Sequence, residues 1–570
     1  MKVLGIASPF AHDASATIVV DGKIVAAAEE ERFTRNKHEG LPPINAINFC
    51  LKQAGLKCSD IDHVAYPWSI MPLRRYRYEY LLRAFRNKTS RALKKFFQNN
   101  RELAAQKRYV YSALKECGFD ISATRVEWVE HHLAHIASSF FLSGMDEAAV
   151  LSIDAGGEIT STVIGSASID TGISKIKEII SEDSLGNFYA TMTDYLGFRR
   201  GNGEYKVMGM APYGDASKVN IDHIIWWDEK SKSYRCNDHY VWVIKPERFR
   251  VEKVYSKRMV KEFGPERKGD ELSEPYIHIA AATQKKLEEI TVKLIDTYLR
   301  IELERHGRLC FAGGCALNVA LNRILLTLPY IKELWVQPAA HDAGTSLGAA
   351  VYVAHMLGEK IQPMRHAYLG PAFTNDEIEK ELRLWKFPFT EEKDICETAA
   401  ELLTRGEIVA WFQGRMEWGP RALGNRSILG NPTVKGTAEK INAVIKFREK
   451  WRPFCPSILQ EEANDILGSS HPAAFMTIAF KMSDKWKDRI PEVVHVDGTC
   501  RPQVVDSNTN PRYHRLIELF YKKTGVPVVI NTSLNRRGEP MVCTPKDAMR
   551  MFEGSGLRYM AIGDYLVRKE

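Results

Sequence analysis

The sequence predicts an α/β protein in two parts: a long N-terminal part that carries one β-β-β-plus-helix unit twice, and a smaller α/β part behind it. Three observations predict this. A three-strand pattern opens at Val3 and returns at Ala148, strand–glycine loop–helix junctions follow residue 308, and a Pro/Gly break at residues 361–373 is followed by a different rhythm. With 570 residues, 45% hydrophobic and 26% charged, the chain has material for more than one core, and disorder, collagen and coiled coil are excluded.

The first unit reads as a strand at 3–7, a loop, a strand at 16–20, a turn at Asp21-Gly22 and a strand at 23–29. Asp-Gly between apolar runs signals a hairpin, because both central residues of a type I′ turn need positive φ. The second copy runs through strands at 148–153, 160–167 and 173–180, with Asp154 at the tip of the first. The matching order of strand, Asp-bearing loop and hairpin is specific as topology. A duplicated unit of this kind builds the actin and sugar-kinase class of ATP-binding proteins, which hold nucleotide between their halves. Helical spacing marks residues 44–54, the basic stretch 78–117, 132–142 and 276–305. A strand at 308–312 runs into Gly313-Gly314-Cys315-Ala316-Leu317-Asn318, and a strand at 333–337 precedes Asp342 and a small-residue helix from Gly344. Such junctions set backbone N–H groups where a nucleotide could sit, and also serve as plain tight turns. The break at 361–373 divides the chain into 1–360 and 361–570; beyond it strands at 407–412, 474–480 and 526–531 alternate with helices at 375–386, 394–405, 435–446, 513–524 and 545–552.

No run approaches the ~18–20 apolar residues of a membrane helix. Ser8, Pro9, His12 and Asp13 interrupt the N-terminal apolar stretch before any signal-peptide pattern, so a cytoplasmic protein is expected. Ten cysteines without a C-x-x-C pair read as reduced thiols. The net charge of +8 is local: residues 74–108 hold twelve Lys/Arg against two Glu. A helical insertion near 72–117 could select an anionic or lipid-linked partner or be the solvated face of two helices.

Among candidate chemical groups, His131 and His135 stand four apart and project from one helical face, where they could share one ion with the strand-end carboxylates Asp154 and Asp342. Two imidazoles and one or two carboxylates suit Fe(II), Mn(II) or Zn(II). Packed histidines at this spacing are also common. His12, beside Asp13 in the first-copy loop, could act as a base near neutral pH or lie at the surface. In the second part, arginines repeatedly adjoin Gly or Pro in loops, as Arg415, Arg421, Arg452, Arg501, Arg512 and Arg537 do, with Arg426, Arg448 and Arg536 in the same segments. Fixed guanidinium arrays chelate planar anions, phosphate first, whereas loop salt bridges are the plainer alternative.

Taken together and in order, the strings His12-Asp13-Ala14-Ser15-Ala16, Glu29-Glu30-Glu31-Arg32-Phe33-Thr34-Arg35, His131-His132-Leu133-Ala134-His135, Lys206-Val207-Met208-Gly209, Gly313-Gly314, Gly419-Pro420-Arg421-Ala422-Leu423-Gly424 and Asn531-Thr532-Ser533 resemble the nodulation and antibiotic O-carbamoyltransferases. The resemblance spans nearly the whole chain. It implies an actin-like (ASKHA, RNase H-like) N-terminal transfer domain and a YrdC-like α/β C-terminal domain. The latter would convert carbamoyl phosphate and ATP, with Mg2+, into carbamoyl-adenylate; the former would pass the carbamoyl group to a hydroxyl of a small-molecule acceptor at an Fe2+ or other divalent transition metal site. By motif, His131, His135 and Asp342 match the metal ligands with Asp154 alongside, and His12 the candidate base. Lys206, Gly313, Gly314 and Asn318 fall in motifs flanking the adenosine pocket. Lys446, Arg421, Arg452, Arg501 and Arg537 would hold carbamoyl phosphate and the ATP phosphates, with Lys446 and Arg421 also catalytic.

No nucleic-acid partner is expected, and a homodimer stays open. The alternatives are a tRNA threonylcarbamoyladenosine-type modifying enzyme, which would call for a broad basic face, and a non-catalytic ATP-binding protein, which would not need the arginine loops.

Overall fold

The computed structural model describes residues 1–8, 12–69, 71, 75, 78, 82, 104–241 and 253–569. Most of the basic stretch 72–110 lies outside them. Two five-stranded sheets of one topology form the N-terminal part. The first holds β1 (Lys2–Ala7), β2 (Ser15–Val20), β3 (Lys23–Glu29), β4 (His63–Tyr66) and β5 (Val126–Trp128) in the order β3-β2-β1-β4-β5. The second holds β6 (Glu147–Ile153), β7 (Thr160–Ser168), β8 (Gly172–Ile180), β11 (Arg308–Ala312) and β12 (Glu333–Val336) in the order β12-β11-β6-β7-β8; β9 (Ile225–Asp228) and β10 (Ser233–Cys236) pair separately. In each sheet the hairpin strands are antiparallel and the last two join in parallel. The repeat expected from the sequence is therefore a repeat of topology. The Asp21-Gly22 turn has φ of 47° and 72°, as a two-residue hairpin of that chirality requires.

Six helices matter for the site: α1 (Ile44–Ala54), α2 (His131–Ser143), α3 (Leu185–Tyr195), α4 (Glu204–Met210), α5 (Tyr276–Tyr298) and α6 (Gly344–Met356). The apolar faces of α2 and α6 pack on each other, α6 against β1 and β2, and α2 against β6 and β11, so this pair fills the space between the two sheets. Small residues make the approach possible: a Cβ on Gly348 would run into the Ala134 carbonyl. Phe140, Leu347 and Val150 are fully buried there, each contributing roughly 1.5–3 kcal/mol by leaving water. The long helix expected at 276–305 breaks at Leu299 and resumes as Arg300–His306.

The C-terminal strands are β13 (Phe389–Glu391), β14 (Val409–Phe412), β15 (Arg426–Gly430), β16 (Cys455–Leu459), β17 (Phe480–Lys481), β18 (Thr499–Cys500), β19 (Gln503–Val505), β20 (Val528–Ser533), β21 (Tyr559–Ile562) and β22 (Tyr565–Arg568). Eight of them form one mixed sheet, β13-β22-β21-β14-β15-β20-β16-β19, while β17 and β18 pair apart. The expected strand at 474–480 is replaced by irregular chain up to Phe480: Ala479 N–H donates to Val319 O, and Ala473 O accepts from Val504 N–H. That apolar run is buried between segments rather than laddered into the sheet. The helix expected at 435–446 is helical over Thr437–Ile441 and turns into a π-helical turn at Asn442–Lys446. One apolar core runs on from β6, β11 and α5 into this sheet, through residues such as Leu294, Phe311, Trp411 and Ile530.

Candidate active site

Four side chains predicted from the sequence converge where the two N-terminal sheets meet. His131 and His135 lie in the first turns of α2, Asp154 directly follows β6, and Asp342 precedes α6. Their Nε2 atoms stand 3.1 Å apart. His135 Nε2 is 3.1 Å from Asp154 Oδ2 and 3.4 Å from Asp342 Oδ1; His131 Nε2 is 3.6 Å and 3.5 Å from the same two oxygens. Ligands held at ~2.0–2.2 Å around one ion are separated by ~3.0–3.5 Å, so the donor set fits a divalent transition metal. Its chemistry agrees, since two imidazoles with two carboxylates form a mixed N/O set. Burial pulls the His131 imidazole down, but the charge of Asp342 and hydrogen bonds to both carboxylates push its pKa up to about 10. Burial works against the Asp154 carboxylate as well, yet the two imidazoles hold it well below the usual range. A cation between these groups would replace the proton that the pair otherwise retains.

Neighbouring groups fix these side chains. Asp154 Oδ1 accepts from Ala155 N–H at 2.7 Å, which leaves Oδ2 facing the histidines. Glu158, buried in the same glycine-containing loop, accepts from the His131 N–H at 3.0 Å and from Ser69 N–H at 2.7 Å, and burial pushes its pKa up to about 7. It caps the start of α2. His132, the middle histidine, is structural: Nε2–H donates to Thr160 O at 2.9 Å, Ser152 Oγ lies 2.8 Å from Nδ1, and burial holds its pKa well below the ordinary value. His12 stands at the edge of the cluster, with Nε2 3.7 Å from Asp342 Oδ2, while Nδ1 donates to Asp13 Oδ2 at 3.0 Å; His38 Nδ1 donates to the other Asp13 oxygen at 2.7 Å. Burial lowers the His12 pKa, but the hydrogen bond and charge of Asp13, with Asp342 and Asp154 behind, raise it to about 9.

A second cluster lies across the same cavity, which encloses about 2310 Å3 and is lined from His12, Asp154 and Asp342 to Arg421, Lys446, Arg448, Arg452 and Arg501. The chain enters it through the π-helical turn, and Phe447 then adopts φ 46°, sending Lys446 and Arg448 to the same side. A non-glycine residue in that region costs about 1–2 kcal/mol, and such strain collects at functional sites. Lys446 Nζ donates to Ser533 Oγ at 3.1 Å, to Asn535 Oδ1 at 2.7 Å and to the carbonyls of Ser533 and Asn535, meeting no carboxylate among the described residues. Arg448 donates to Asn442 Oδ1 at 2.6 Å, and Arg501 reaches the Cys455 sulfur at 3.0 and 3.2 Å. Arg421 makes neither hydrogen bond nor ion pair among the described residues. Burial first, then repulsion from Arg501, brings the Arg421 pKa down to about 9; burial and neighbouring arginines hold Lys446 and Arg448 well below their ordinary values. Such a basin of desolvated cations is electrostatically incomplete without an anion. Glu449 is a carboxylate at its edge, 3.5 Å from Arg452, 3.6 Å from Arg537 and 2.7 Å from Lys206.

The remaining predicted residues take different places. Lys206, on α4, is ion-paired with Glu449 and so faces the cation basin. Gly314 lies against Asp154 Oδ1, and Asn318 caps the helix Val319–Leu326 while bonding Gln284, both at the cavity wall. Gly313, with φ 88°, passes the Ile153 carbonyl beneath the wall. Arg537 sits at the rim, 3.4 Å from Asp270. Sequence reasoning assigned no site role to Glu158 or to Tyr205, whose ring lies under Arg452 at 4.6 Å, and counted Arg448 only among the arginines of the loop array. Glu158 could have been found as the second carboxylate of its loop.

Residues 2–351 match the family described as Carbamoyltransferase N-terminus, and residues 400–569 that described as Carbamoyltransferase C-terminus. Among full-length relatives, the uncharacterized protein sll1178 of Synechocystis is 36% identical over all of this chain and 96% of its own length. The nodulation protein NolNO of Sinorhizobium fredii is 34% identical over 99% of this chain and 80% of its own. The 3'-hydroxymethylcephem-O-carbamoyltransferase of Amycolatopsis lactamdurans is 31% identical over 51% of this chain and 54% of its own. With both halves of the cavity inside matched regions, the chain belongs to the carbamoyltransferase family.

Proposed function

We propose that this O-carbamoyltransferase works in two steps at the two ends of one cavity, dividing the labour between residues 361–570 and 1–360. The observation that carries the reading is the continuous cavity joining a cation basin to a His2Asp2 cluster. In the YrdC-like C-terminal domain, Arg421, Lys446, Arg452, Arg501 and Arg537 bind carbamoyl phosphate and the phosphates of ATP, with Mg2+ on the polyphosphate; Arg448 joins them. Carbamoyl phosphate is hydrolysed to carbamate and phosphate. A carbamate oxygen then attacks the α-phosphorus, pyrophosphate leaves, and carbamoyl-adenylate results. Lys446 and Arg421 stabilise the charge that builds on the phosphoryl oxygens.

The mixed anhydride then moves along the cavity to the actin-like N-terminal domain, where Gly314, Asn318 and Lys206 border its path. His131, His135, Asp154 and Asp342 would hold Fe2+ or another divalent transition metal, which when bound supplies Lewis-acid stabilisation of charge on the donor. His12, in the fraction that has given up its own proton, takes the proton of the acceptor hydroxyl as its oxygen bonds to the carbamoyl carbon, and a cation held by Asp342 and Asp154 would enlarge that fraction by offsetting their charge; the bond from that carbon to the phosphate oxygen breaks and AMP leaves. Asp13 orients the His12 ring through Nδ1. The acceptor is a small molecule bearing a hydroxyl, as the names of the cephem-modifying relatives suggest. Incubation with ATP and carbamoyl phosphate tests the scheme: pyrophosphate and AMP should form only when both are present. Pyrophosphate release indifferent to carbamoyl phosphate would contradict it.

A further inference from the structure

The motif at residues 29–35 belongs to the transfer half, yet its polar arms grip the other half. Arg32 is buried between Glu29 and Glu31, with NH2 2.6 Å from Glu29 Oε2 and NH1 3.0 Å from Glu31 Oε1, and the same NH2 donates to the Gly419 carbonyl at 3.0 Å. Glu29 Oε1 accepts from the Gly419 N–H at 3.1 Å. Both backbone groups of Gly419 are thereby held by one ion pair. Gly419 has φ 100°, and a Cβ there would meet the Pro338 carbonyl at 2.9 Å, so the loop is pinned on that side too. Two residues later comes Arg421. Glu417 closes the far side of the loop, Oε1 accepting from the N–H groups of Leu423, Asn425 and Arg426 at 2.8, 2.8 and 3.0 Å.

Arg35 does the same for a second loop. Its NH1 donates to Met541 O at 2.6 Å and its NH2 to Pro540 O at 2.7 Å, just beyond the Arg536-Arg537-Gly538-Glu539 segment. Phe33 packs on Met416, Ala422, Met541 and Cys543, which belong to the same two loops. One short turn after β3 thus fixes the backbones that present Arg421 and Arg537.

We infer that Glu29, Arg32 and Arg35, although they lie in the transfer half, are positioning residues for adenylate formation in the other half. The inference rests on the assignment of Arg421 and Arg537 to that reaction. Because Arg421 makes no hydrogen bond or ion pair among the described residues, no polar partner holds its guanidinium in place, and the position of its backbone governs where that group stands. Misplacing a reacting or binding group by about 1 Å can lower a rate ~10²-fold.

The test compares Arg32→Met, Arg35→Met and Arg421→Ala in two assays: carbamoyl phosphate-dependent pyrophosphate release from ATP, and carbamoylation of the acceptor from supplied carbamoyl-adenylate. Arg32→Met should lower kcat/KM of the first assay roughly 30- to 100-fold and leave the second within about twofold. In the Arg421→Ala background it should add almost nothing, because it acts through Arg421. Arg35→Met, which releases the other loop, should show the same split and covers the case in which Arg32→Met does not fold. Normal pyrophosphate release in both variants beside a slowed Arg421→Ala would overturn the inference alone, as would equal losses in both assays or a full multiplicative defect in the double variant. Normal release by Arg421→Ala would instead overturn the assignment on which it rests.

Discussion

At the residue scale, the proposed scheme gives two groups of side chains different parts of the chemistry, and each can be removed separately. Arg421 and Lys446 face desolvated anions in the proposed first step; losing such a contact costs about 2–5 kcal/mol, or ~30- to several thousand-fold. Arg421→Ala and Lys446→Ala should therefore fold, release pyrophosphate more slowly by that factor, and regain acceptor carbamoylation when carbamoyl-adenylate is supplied. His12→Asn should keep pyrophosphate release and acceptor binding but slow single-turnover carbamoyl transfer roughly a hundredfold or more; full-rate transfer would exclude the base role. Much of this was legible beforehand. His131 and His135 at helical spacing, and Asp154 and Asp342 at strand ends, come from periodicity and topology alone. Glu158 did not, because it acts through backbone N–H groups of segments far away in sequence.

At the scale of elements, the repeated sheets were readable because each hairpin is local, while the C-terminal sheet was harder. Strands β15 and β16 escaped because Arg426, Ser427, Pro456 and Ser457 interrupt any alternation, and their ladder partners in β20 lie far along the chain. Residues 474–480 misled in the opposite sense, since burial between segments makes an apolar run without a ladder. The π-helical turn and Phe447 yield a backbone prediction. Phe447 is 52% exposed, so its ring adds little, whereas its left-handed φ aims Lys446 and Arg448. Phe447→Gly should keep pyrophosphate release near the wild-type rate, because glycine takes this φ freely. Phe447→Pro, locked near −65°, should abolish it in protein that still binds through its N-terminal half. Equal activity of the two variants would show that the turn does not aim these cations.

A pH-dependent test belongs to the seam between halves. Burial raises the Glu449 pKa, but the hydrogen bond and charge of Lys206, with Arg452, bring it down to about 2. A carboxylate whose folded pKa is depressed stabilises the fold above its unfolded value and loses that contribution as pH falls through the folded one. The gap in melting temperature between wild type and Glu449→Gln should thus be widest above about pH 4.5 and close as pH falls toward about 2. A gap that does not change over that window would mean the carboxylate is not stabilised by the seam.

At the scale of the whole molecule, the two clusters share one cavity, so a water-labile intermediate need not pass through bulk solvent. A mixture of His131→Ala and Arg421→Ala proteins should accordingly carbamoylate acceptor far more slowly than wild type, because the adenylate made by one would have to diffuse to the other. No helix among the described residues is long and apolar enough to cross a membrane. Family membership fixes the class of reaction, and the separation of the two clusters is what the structure adds to it. The most direct measurement of that separation is pyrophosphate release by His131→Ala given ATP, carbamoyl phosphate and acceptor. The account predicts carbamoyl phosphate-dependent release with no carbamoylated product; loss of pyrophosphate release together with transfer would contradict it.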